Sequence, residues 1–476
     1  MASGSERKML ALGLSAVALS ALGWCFGSGL QPVWWLTWLA PLPVLLLAAQ
    51  VRPRFGAMAA FAAYAVGGLN QWNYLHGYIG LPWTTIVPAI AGPALTLTLC
   101  TLLFRRLLVR GRPTAAVLAM PALWVAIEYV NTQLSPHGTF GSISYSQMDA
   151  LPILQLAALT GNWGISFLLL LLPAALALQL APGVAKRARI RIATITAVLL
   201  LAAIGYGSWR LQAPATSSLR IGLVSLEKPI RPALHDAQGQ ALQARYVEAI
   251  DRLASAGARI VLIPETSFAT TDSTIPAFAA AAQRDGVVVD AGIDFKGDPQ
   301  AERNMVMVFQ PGVAAPVRYN KHHLIPGFEN HYTPGEHYRM LGGTPRVGLA
   351  ICKDMDFHDI GHAYARRDAQ LLLVPAWDFR IDGWLHSRMA IMRGVESGFA
   401  LARAARSGRL TLSDDRGRVV AEASSEQHDA ELVGELPLRQ THTLYGRCGN
   451  WFVWLDLAAL LVLLALAVRP PFRRGA

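Results

Sequence analysis

The sequence predicts two joined parts: an α-helical membrane domain of about eight transmembrane helices, and an α/β layered domain outside the bilayer. Three observations carry this reading. Only 15% of the 476 residues are charged and 53% are hydrophobic, whereas an ordinary soluble domain carries about 25% charged residues. Apolar runs of about 20 residues, enough to cross a bilayer, recur through residues 1–209 and once more near the C-terminus. Between them, residues 217–449 alternate strand-like and helix-like patterns.

The formal net charge of +11 follows the same partition. Residues 1–209 hold twelve Lys and Arg against Glu6, Glu128 and Asp149, and residues 450–476 hold three Arg against Asp456. Residues 210–449 hold 27 basic and 27 acidic side chains. The basic excess therefore belongs to the apolar parts, which excludes a nucleic-acid partner. Four cysteines in a chain this long exclude a disulfide scaffold.

Candidate spans cover residues 9–27, 32–50, 56–79, 84–104, 114–131, 162–181, 190–209 and 451–468. Asn70, Gln71 and Asn73 interrupt the third. Basic residues mark alternate ends: Arg7 and Lys8, Arg52 and Arg54, Arg105 to Arg112, Lys186 to Arg191, then Arg469, Arg473 and Arg474. The loops near 28–31, 80–83 and 132–161 contain no Lys or Arg. The positive-inside rule then places both termini in the cytoplasm and residues 210–449 outside it. The expected division is a seven-span membrane domain (1–209), an extracytoplasmic catalytic domain (217–449), and a last span with a cytoplasmic tail (450–476). The first span reads as a retained helix, because bulky Trp24 precedes Cys25 where a lipobox needs a small residue. Trp34, Trp35, Trp72, Tyr74, Trp83, Trp451 and Trp454 form an interfacial belt. Glu128, in the outer third of the fifth span, is a functional candidate as an intramembrane carboxylate, although a carboxylate reaching the outer interface is the favoured reading.

In the polar stretch, strands are expected at Ser218–Leu226, Arg259–Ile263, Gly286–Gly292, Asn304–Gln310, Arg346–Ile351, Gln370–Pro375, Phe399–Ala404, Leu410–Ser413 and Arg418–Ala423. Helices are expected at Gln240–Ala256, where Leu242, Tyr246, Ile250 and Leu253 make one apolar stripe, and at Ile275–Arg284 and Asp382–Ser397.

No P-loop, dinucleotide fingerprint or nucleophile elbow is present. His358-Asp359-Ile360-Gly361-His362 approximates a zinc-protease pattern, but Asp is shorter than the Glu that pattern needs and Gly361 weakens the helix. No metal and no cofactor is expected. His322 and His323 read as loop contacts. Three other residues stand where strands end: Glu265 after Ile260–Pro264, Lys321 after Arg318–Asn320, and Cys352 after Val347–Ile351. Strand ends are where catalytic groups converge in layered α/β domains. A lone Cys is usually a small buried hydrophobe; a carboxylate and an ammonium at matching strand ends change that balance.

Pro264-Glu265, Tyr319-Asn320-Lys321 and Ile351-Cys352 resemble the Glu-Lys-Cys triad of the nitrilase superfamily. Placed between seven leading spans and one trailing span, they resemble the apolipoprotein N-acyltransferase family. Tyr145-Ser146-Gln147, the His386–Gly398 helix (H-x-x-M-A-x-M-R-x-x-E-x-G) and Tyr445–Trp451 (Y-x-R-x-G-N-W) are similar to that family's motifs. The resemblance implies a nitrilase-like αββα sandwich in a bacterial inner-membrane protein. It implies a phospholipid acyl donor, a thioester on Cys352, a lysophospholipid leaving group, and the N-terminal amine of a diacylglyceryl-cysteine lipoprotein as acceptor. Glu265 would be the base and Lys321 the oxyanion partner, with Glu329 in support; the protein is expected to be a monomer.

The chain departs from the family near the nucleophile. Lys353 and Asp354 stand where Tyr-Glu is usual, Pro326-Gly327-Phe328-Glu329 replaces P-F-G-E, and Pro375–Phe379 replaces N-D-A-W-F. Lys353, Asp354 and Trp377 are therefore candidate substrate-binding residues. A membrane-anchored nitrilase-type amidase fits the triad equally well, although seven leading spans exceed what anchoring needs. A non-enzymatic lipid- or lipoprotein-binding scaffold is disfavoured by the intact triad.

Overall fold

The computed structural model describes residues 4–227, 229–298 and 301–469. The chain forms two compact units. One takes the residues up to Leu134, Gly141–Trp209 and the chain from Asn450 on; the other takes Arg210–Gly449 together with a hexapeptide, Ser135–Phe140. The hexapeptide departs from the division at 209 and 449 read from the sequence.

In the first unit, six helices among the described residues are long and apolar enough to span: Lys8–Gly27, Trp83–Val109, Pro113–Leu134, Asn162–Leu180, Lys186–Arg210 and Trp451–Val468. The other two expected spans are not single α-helices. Residues 32–50 split into Trp34–Thr37 and Leu42–Ala48, where Pro41 and Pro43 remove backbone donors. Residues 56–79 start as the α-helix Pro53–Gly67, tighten to a 3₁₀ turn at Gly68–Gln71, then widen to a π-helix at Asn73–Tyr78. Gly67, the last residue of the α-helix, allows a close approach: a Cβ there would lie 2.5 Å from that of Trp24. Asn70 Nδ2 then donates to the carbonyls of Cys25 (2.7 Å) and Ser28 (2.9 Å). Gln147 of the Tyr-Ser-Gln motif is a structural anchor, accepting from Trp38 Nε1 (2.8 Å) and donating to the Trp34 carbonyl (2.9 Å). Glu128 does not reach solvent as expected; both its carboxylate oxygens are enclosed. Arg473 and Arg474 lie outside the described residues.

The second unit is an αββα sandwich. Its strands are β1 (Ser217–Ser225), β2 (Ile260–Thr270), β3 (Val288–Phe295), β4 (Arg303–Phe309), β5 (Val317–Asn320), β6 (Val347–Leu349), β7 (Leu371–Trp377), β8 (Ala400–Arg406), β9 (Arg409–Ser413), β10 (Val419–Ser424) and β11 (Ala430–Leu438). One sheet has the order β11-β1-β2-β3-β4-β5 and the other β10-β9-β8-β7-β6. β1, β2 and β3 are parallel, as are β6, β7 and β8. Ile221, Leu223, Leu262, Val306 and Val308 meet Leu349, Leu373, Ala402 and Leu412 between the sheets. On the outer face of the first sheet lie Leu242, Tyr246, Ile250 and Leu253, the stripe read from the sequence, with Phe278 of the helix Pro276–Asp285. The helices His358–Ala365 and Gly383–Ser397 accompany the second sheet.

β2 does not end at Ile263 as its apolar run implies. It continues to Thr270 through an irregularity between Ile263 and Phe268, with Thr266 in the left-handed region (φ 44°). Glu265 sits in this bulge, a device that re-aims side chains beside active sites. Gly292 on β3 makes it possible: a Cβ there would lie 2.4 Å from Glu265 Cα.

Candidate active site

Four elements converge on one buried ammonium. Lys321 follows β5, and its backbone N–H is held by the carbonyl of Asn304 on β4 (2.9 Å). Its Nζ donates to Glu265 Oε1 (2.7 Å) and to both oxygens of Glu329 (3.0 and 2.9 Å). Asn304 Nδ2 bridges the two carboxylates, donating to Glu265 at 2.6 Å and Glu329 at 2.7 Å. The Ile325 backbone N–H gives Glu329 a further donor at 2.7 Å. Glu265, Lys321 and Glu329 are all buried.

The two carboxylates are not equivalent. Burial pushes Glu265 up, against the opposing charge of Lys321. Burial acts on Glu329 the same way, but Lys321, Ile325 N–H and Asn304 outweigh it and hold Glu329 below the usual carboxylate range. Glu329 is thus the standing counter-ion, and Glu265 the group able to take up a proton. Burial opposes the charge on Lys321, yet Glu265, Glu329 and Cys352 together hold its proton far more tightly than usual.

Cys352 opens a short 3₁₀ turn after β6 and occupies the left-handed region (φ 43°). A non-glycine residue there stores strain, a common condition at functional sites. Its Sγ lies 3.6 Å from the Trp377 carbonyl at the end of β7. Burial pushes the thiol up; Glu265 adds to this and Lys321 opposes it. At rest the sulfur therefore keeps its proton, and attack requires a base acting in the same step.

Two family models match consecutive stretches of this chain: the apolipoprotein N-acyltransferase N-terminal domain over residues 20–175, and carbon-nitrogen hydrolase over residues 233–444. The apolipoprotein N-acyltransferase of Geobacter metallireducens is 28% identical, aligned over 93% of this chain and 92% of its own. That of Gloeobacter violaceus is 28% identical over 95% and 94%. Among solved structures, an amidase from Nesterenkonia sp. matches 46% of this chain and 91% of its own, at 22% identity and a TM-score of 0.41. Along nearly its whole length the chain is similar to apolipoprotein N-acyltransferases.

Beside Cys352, this chain uses its departures from the family pattern as braces. Asp354 accepts the backbone N–H groups of His322 (3.0 Å) and His323 (2.9 Å) with Oδ1, and Tyr319 OH (2.6 Å) and Ile351 N–H (2.9 Å) with Oδ2. It therefore ties the Lys321 loop to the Cys352 turn, with both oxygens occupied. Lys353 is buried, with Nζ 3.2 Å from His137 Nδ1 and 3.6 Å from Asp356. Thr139 donates to the Asp356 carbonyl from its backbone N–H (2.9 Å) and its hydroxyl (2.7 Å). The hexapeptide Ser135–Phe140 is thus pinned along the Cys352 turn. Trp377 offers its carbonyl to Cys352 and its ring to two arginines. His322 meets Tyr319 OH at 2.8 Å, His323 meets Asp359 at 3.0 Å, and His358 lies 3.8 Å from Glu396.

Sequence reading missed Asn304, although one amide in the run Asn304-Met305-Val306-Met307-Val308 is a readable signal, since a buried polar side chain needs partners. It also missed the role of Phe140, whose ring stacks on His386 at 6.2 Å and 25°. Burial disfavours charge on His386, but Asp382 (3.1 Å), with Asp356 and Asp378, pushes it up to about 9. A raised pKa stabilises the fold below the unfolded value near 6.5, and that contribution is lost as pH rises through about 9. The thermal midpoint of the wild type is expected to fall across this window by more than that of His386→Phe. The difference corresponds to roughly 3 kcal/mol at most; parallel profiles would show that the pair contributes nothing.

Proposed function

We propose that this protein moves an acyl chain from a membrane phospholipid, through a thioester on Cys352, to the N-terminal amine of a diacylglyceryl-cysteine lipoprotein. One observation carries the reading: a buried ammonium shared by two unlike carboxylates, in the same domain as a strained, protonated cysteine. The domain is continuous at both ends with apolar helices, Lys186–Arg210 and Trp451–Val468, which suits a substrate dissolved in a bilayer.

Glu265 takes the Sγ proton as sulfur attacks the ester carbonyl carbon. The carbonyl π electrons move to oxygen, and the oxyanion is stabilised by Lys321 Nζ. Collapse breaks the carbon–oxygen bond, and Glu265 returns the proton to the lysophospholipid alkoxide. In the second half, the lipoprotein amine, ordinarily with a pKa near 8, attacks the thioester carbonyl as the free base. Glu265 accepts its proton, the carbon–sulfur bond breaks with the electron pair leaving on sulfur, and Glu265 returns the proton to Sγ to regenerate the Cys352 thiol. Glu329 stays ionised throughout and fixes Lys321. The distribution of basic loops supports an orientation with both termini in the cytoplasm and this domain on the other side of the membrane.

Intact-protein mass spectrometry after incubation with phosphatidylglycerol micelles tests the proposal. The expected result is a hydroxylamine-sensitive palmitoyl adduct on Cys352 that is discharged by a diacylglyceryl-cysteine peptide. Absence of any adduct, accompanied by turnover of soluble amides, would identify an amidase instead.

A further inference from the structure

Asn304 stands between two charge clusters. Its Nδ2 donates to Glu265 and Glu329, the carboxylates that hold Lys321. Its partner across the β3–β4 ladder is Asp294. Val289, Ala291 and Ile293 of β3 belong to the outer core, so strand alternation turns Asp294 to the inner face, beside Asn304. Asp294 and Asn304 are each 1% exposed, and Tyr332 is 4% exposed. Among the described residues, both Asp294 oxygens, Asn304 Oδ1 and the Tyr332 hydroxyl are enclosed without a hydrogen bond of ordinary geometry. Tyr332 follows Glu329, whose carbonyl accepts its backbone N–H at 3.0 Å. Burial holds the Tyr332 hydroxyl proton tightly; Asp294 and, more weakly, Glu265 add to this, while Arg231 opposes it. The hydroxyl is therefore within electrostatic reach of both carboxylates.

The charge around Asp294 is out of balance. Lys296 Nζ lies 3.6 Å from Asp294 Oδ2 and 3.0 Å from Glu302 Oε1, so one half-exposed ammonium serves two carboxylates. Arg231 is the next cation: its Cζ lies 5.3 Å from the Tyr332 ring centroid and its Nη1 3.5 Å from His331 Nε2. Burial pushes Asp294 up to about 6; Glu302 adds to this, and Lys296 and Arg231 oppose it. A carboxylate, an amide carbonyl and a phenolic oxygen that lack donors are complementary to a cation carrying several N–H groups. A primary ammonium has three donors and no acceptor.

We infer that Asp294, Asn304 Oδ1 and the Tyr332 hydroxyl form a subsite for a primary ammonium, and that its occupant is the N-terminal amine of the acyl acceptor. The inference rests on the proposed acyl transfer and adds where the acceptor is received. An α-amine with a pKa near 8 arrives at neutral pH mostly as the ammonium, which cannot attack a thioester. At Asp294 one N–H bond breaks, the electron pair stays on nitrogen, and the proton passes to a carboxylate oxygen, which later releases it to water. The free amine then lies beside Asn304, whose Nδ2 is 2.6 Å from Glu265 Oε1, the base that takes its next proton. Asn304 thus joins the group that receives the amine to the group that serves its attack.

The test charges full-length wild type, Asp294→Asn and Tyr332→Phe with dipalmitoyl phosphatidylglycerol in micelles and follows loss of the acyl adduct by intact mass. Two nucleophiles discharge it at neutral pH: a diacylglyceryl-cysteine peptide, which is cationic, and hydroxylamine, which is uncharged. Asp294→Asn is expected to lower the ratio of peptide to hydroxylamine discharge at least roughly tenfold, the scale of one hydrogen bond to a charged group, and to raise the half-saturating peptide concentration. Tyr332→Phe is expected to lower the same ratio about threefold, the scale of a neutral hydrogen bond, and it keeps the test decisive if Asp294→Asn fails to fold. An unchanged ratio overturns the subsite, whether both discharge rates fall together or neither moves. Charging by dipalmitoyl phosphatidylethanolamine, whose headgroup is also a primary ammonium, is compared with charging by phosphatidylglycerol. The quotient of these two rates is expected to be the same in wild type and Asp294→Asn. A loss confined to the ethanolamine lipid would assign the ammonium to the donor and overturn the acceptor assignment. A wild type charged by neither lipid would instead sink the acyl-transfer reading beneath it.

Discussion

Cys352→Ala is expected to abolish the acyl-enzyme and to lower transfer to the acceptor by at least roughly four orders of magnitude, the scale on which loss of a covalent nucleophile is felt. The thermal midpoint should stay close to that of the wild type. The residue contributes a small side chain to a turn whose shape is fixed by other groups: Asp354 holds Ile351 N–H, and the Ala350 N–H is held by the Leu373 carbonyl at 3.1 Å. Cys352→Ser sharpens the point. It retains a proton donor of similar shape, so a fall of the same order would show that sulfur chemistry, not packing, is what the site supplies. Among the other cysteines, Cys25 and Cys100 lie in helices of the first unit, and Cys448 is exposed. An adduct appearing on any of these in place of Cys352 would contradict the assignment.

Lys321→Met is expected to damage both fold and chemistry, for separable reasons. Removing the ammonium leaves Glu265 and Glu329 facing each other through Asn304 Nδ2 alone. An uncompensated buried charge of this kind costs about 3–5 kcal/mol. Loss of an oxyanion donor lowers turnover by about 10²–10³-fold. The sign of the pH dependence separates the two effects. Without the cation both carboxyls favour the protonated form in the folded state, so the variant should lose stability as pH rises above the ordinary carboxylate range. The double variant Lys321→Met/Glu329→Gln removes one charge of each sign. It is expected to recover much of the thermal midpoint while remaining inactive. Recovery of both would show that Lys321 holds the fold and takes no part in the reaction.

Much of this was legible in the residue order because it depends on local quantities. Apolar length and the placement of Arg and Lys mark the membrane helices, and the stripe Leu242, Tyr246, Ile250, Leu253 marks a sheet-facing helix. Glu265 and Lys321 stand out in the sequence because ionisable groups beside apolar strands are hard to explain by packing alone, whereas Glu329 is singled out only by the resemblance to a family motif. What stayed hidden depends on partners distant in sequence. The bulge that carries Glu265 exists because Gly292, on the neighbouring strand, leaves room for it. The role of Asn304 appears only when β4 lies beside β5 and β2 contributes its carboxylate. Asp354 reads as a substrate contact from its place after the nucleophile, yet its four donors come from the β5 loop and the β6 end. The third apolar run reads as one helix because its length suffices; its winding changes after Gly67, where the polar Asn70, Gln71 and Asn73 fall.

The six residues from Ser135 to Phe140 have a practical consequence. They are encoded about seventy positions ahead of the rest of the unit they join, so the catalytic body is not one uninterrupted stretch of gene. A truncation beginning after Trp209 would be born without them. The carbonyl of Asp356 would forfeit both its Thr139 donors, and Lys353 its imidazole neighbour. Excision as a water-soluble enzyme therefore strips support from the very turn that bears the sulfur, and full-length protein in detergent or nanodiscs is the form in which its chemistry should be measured.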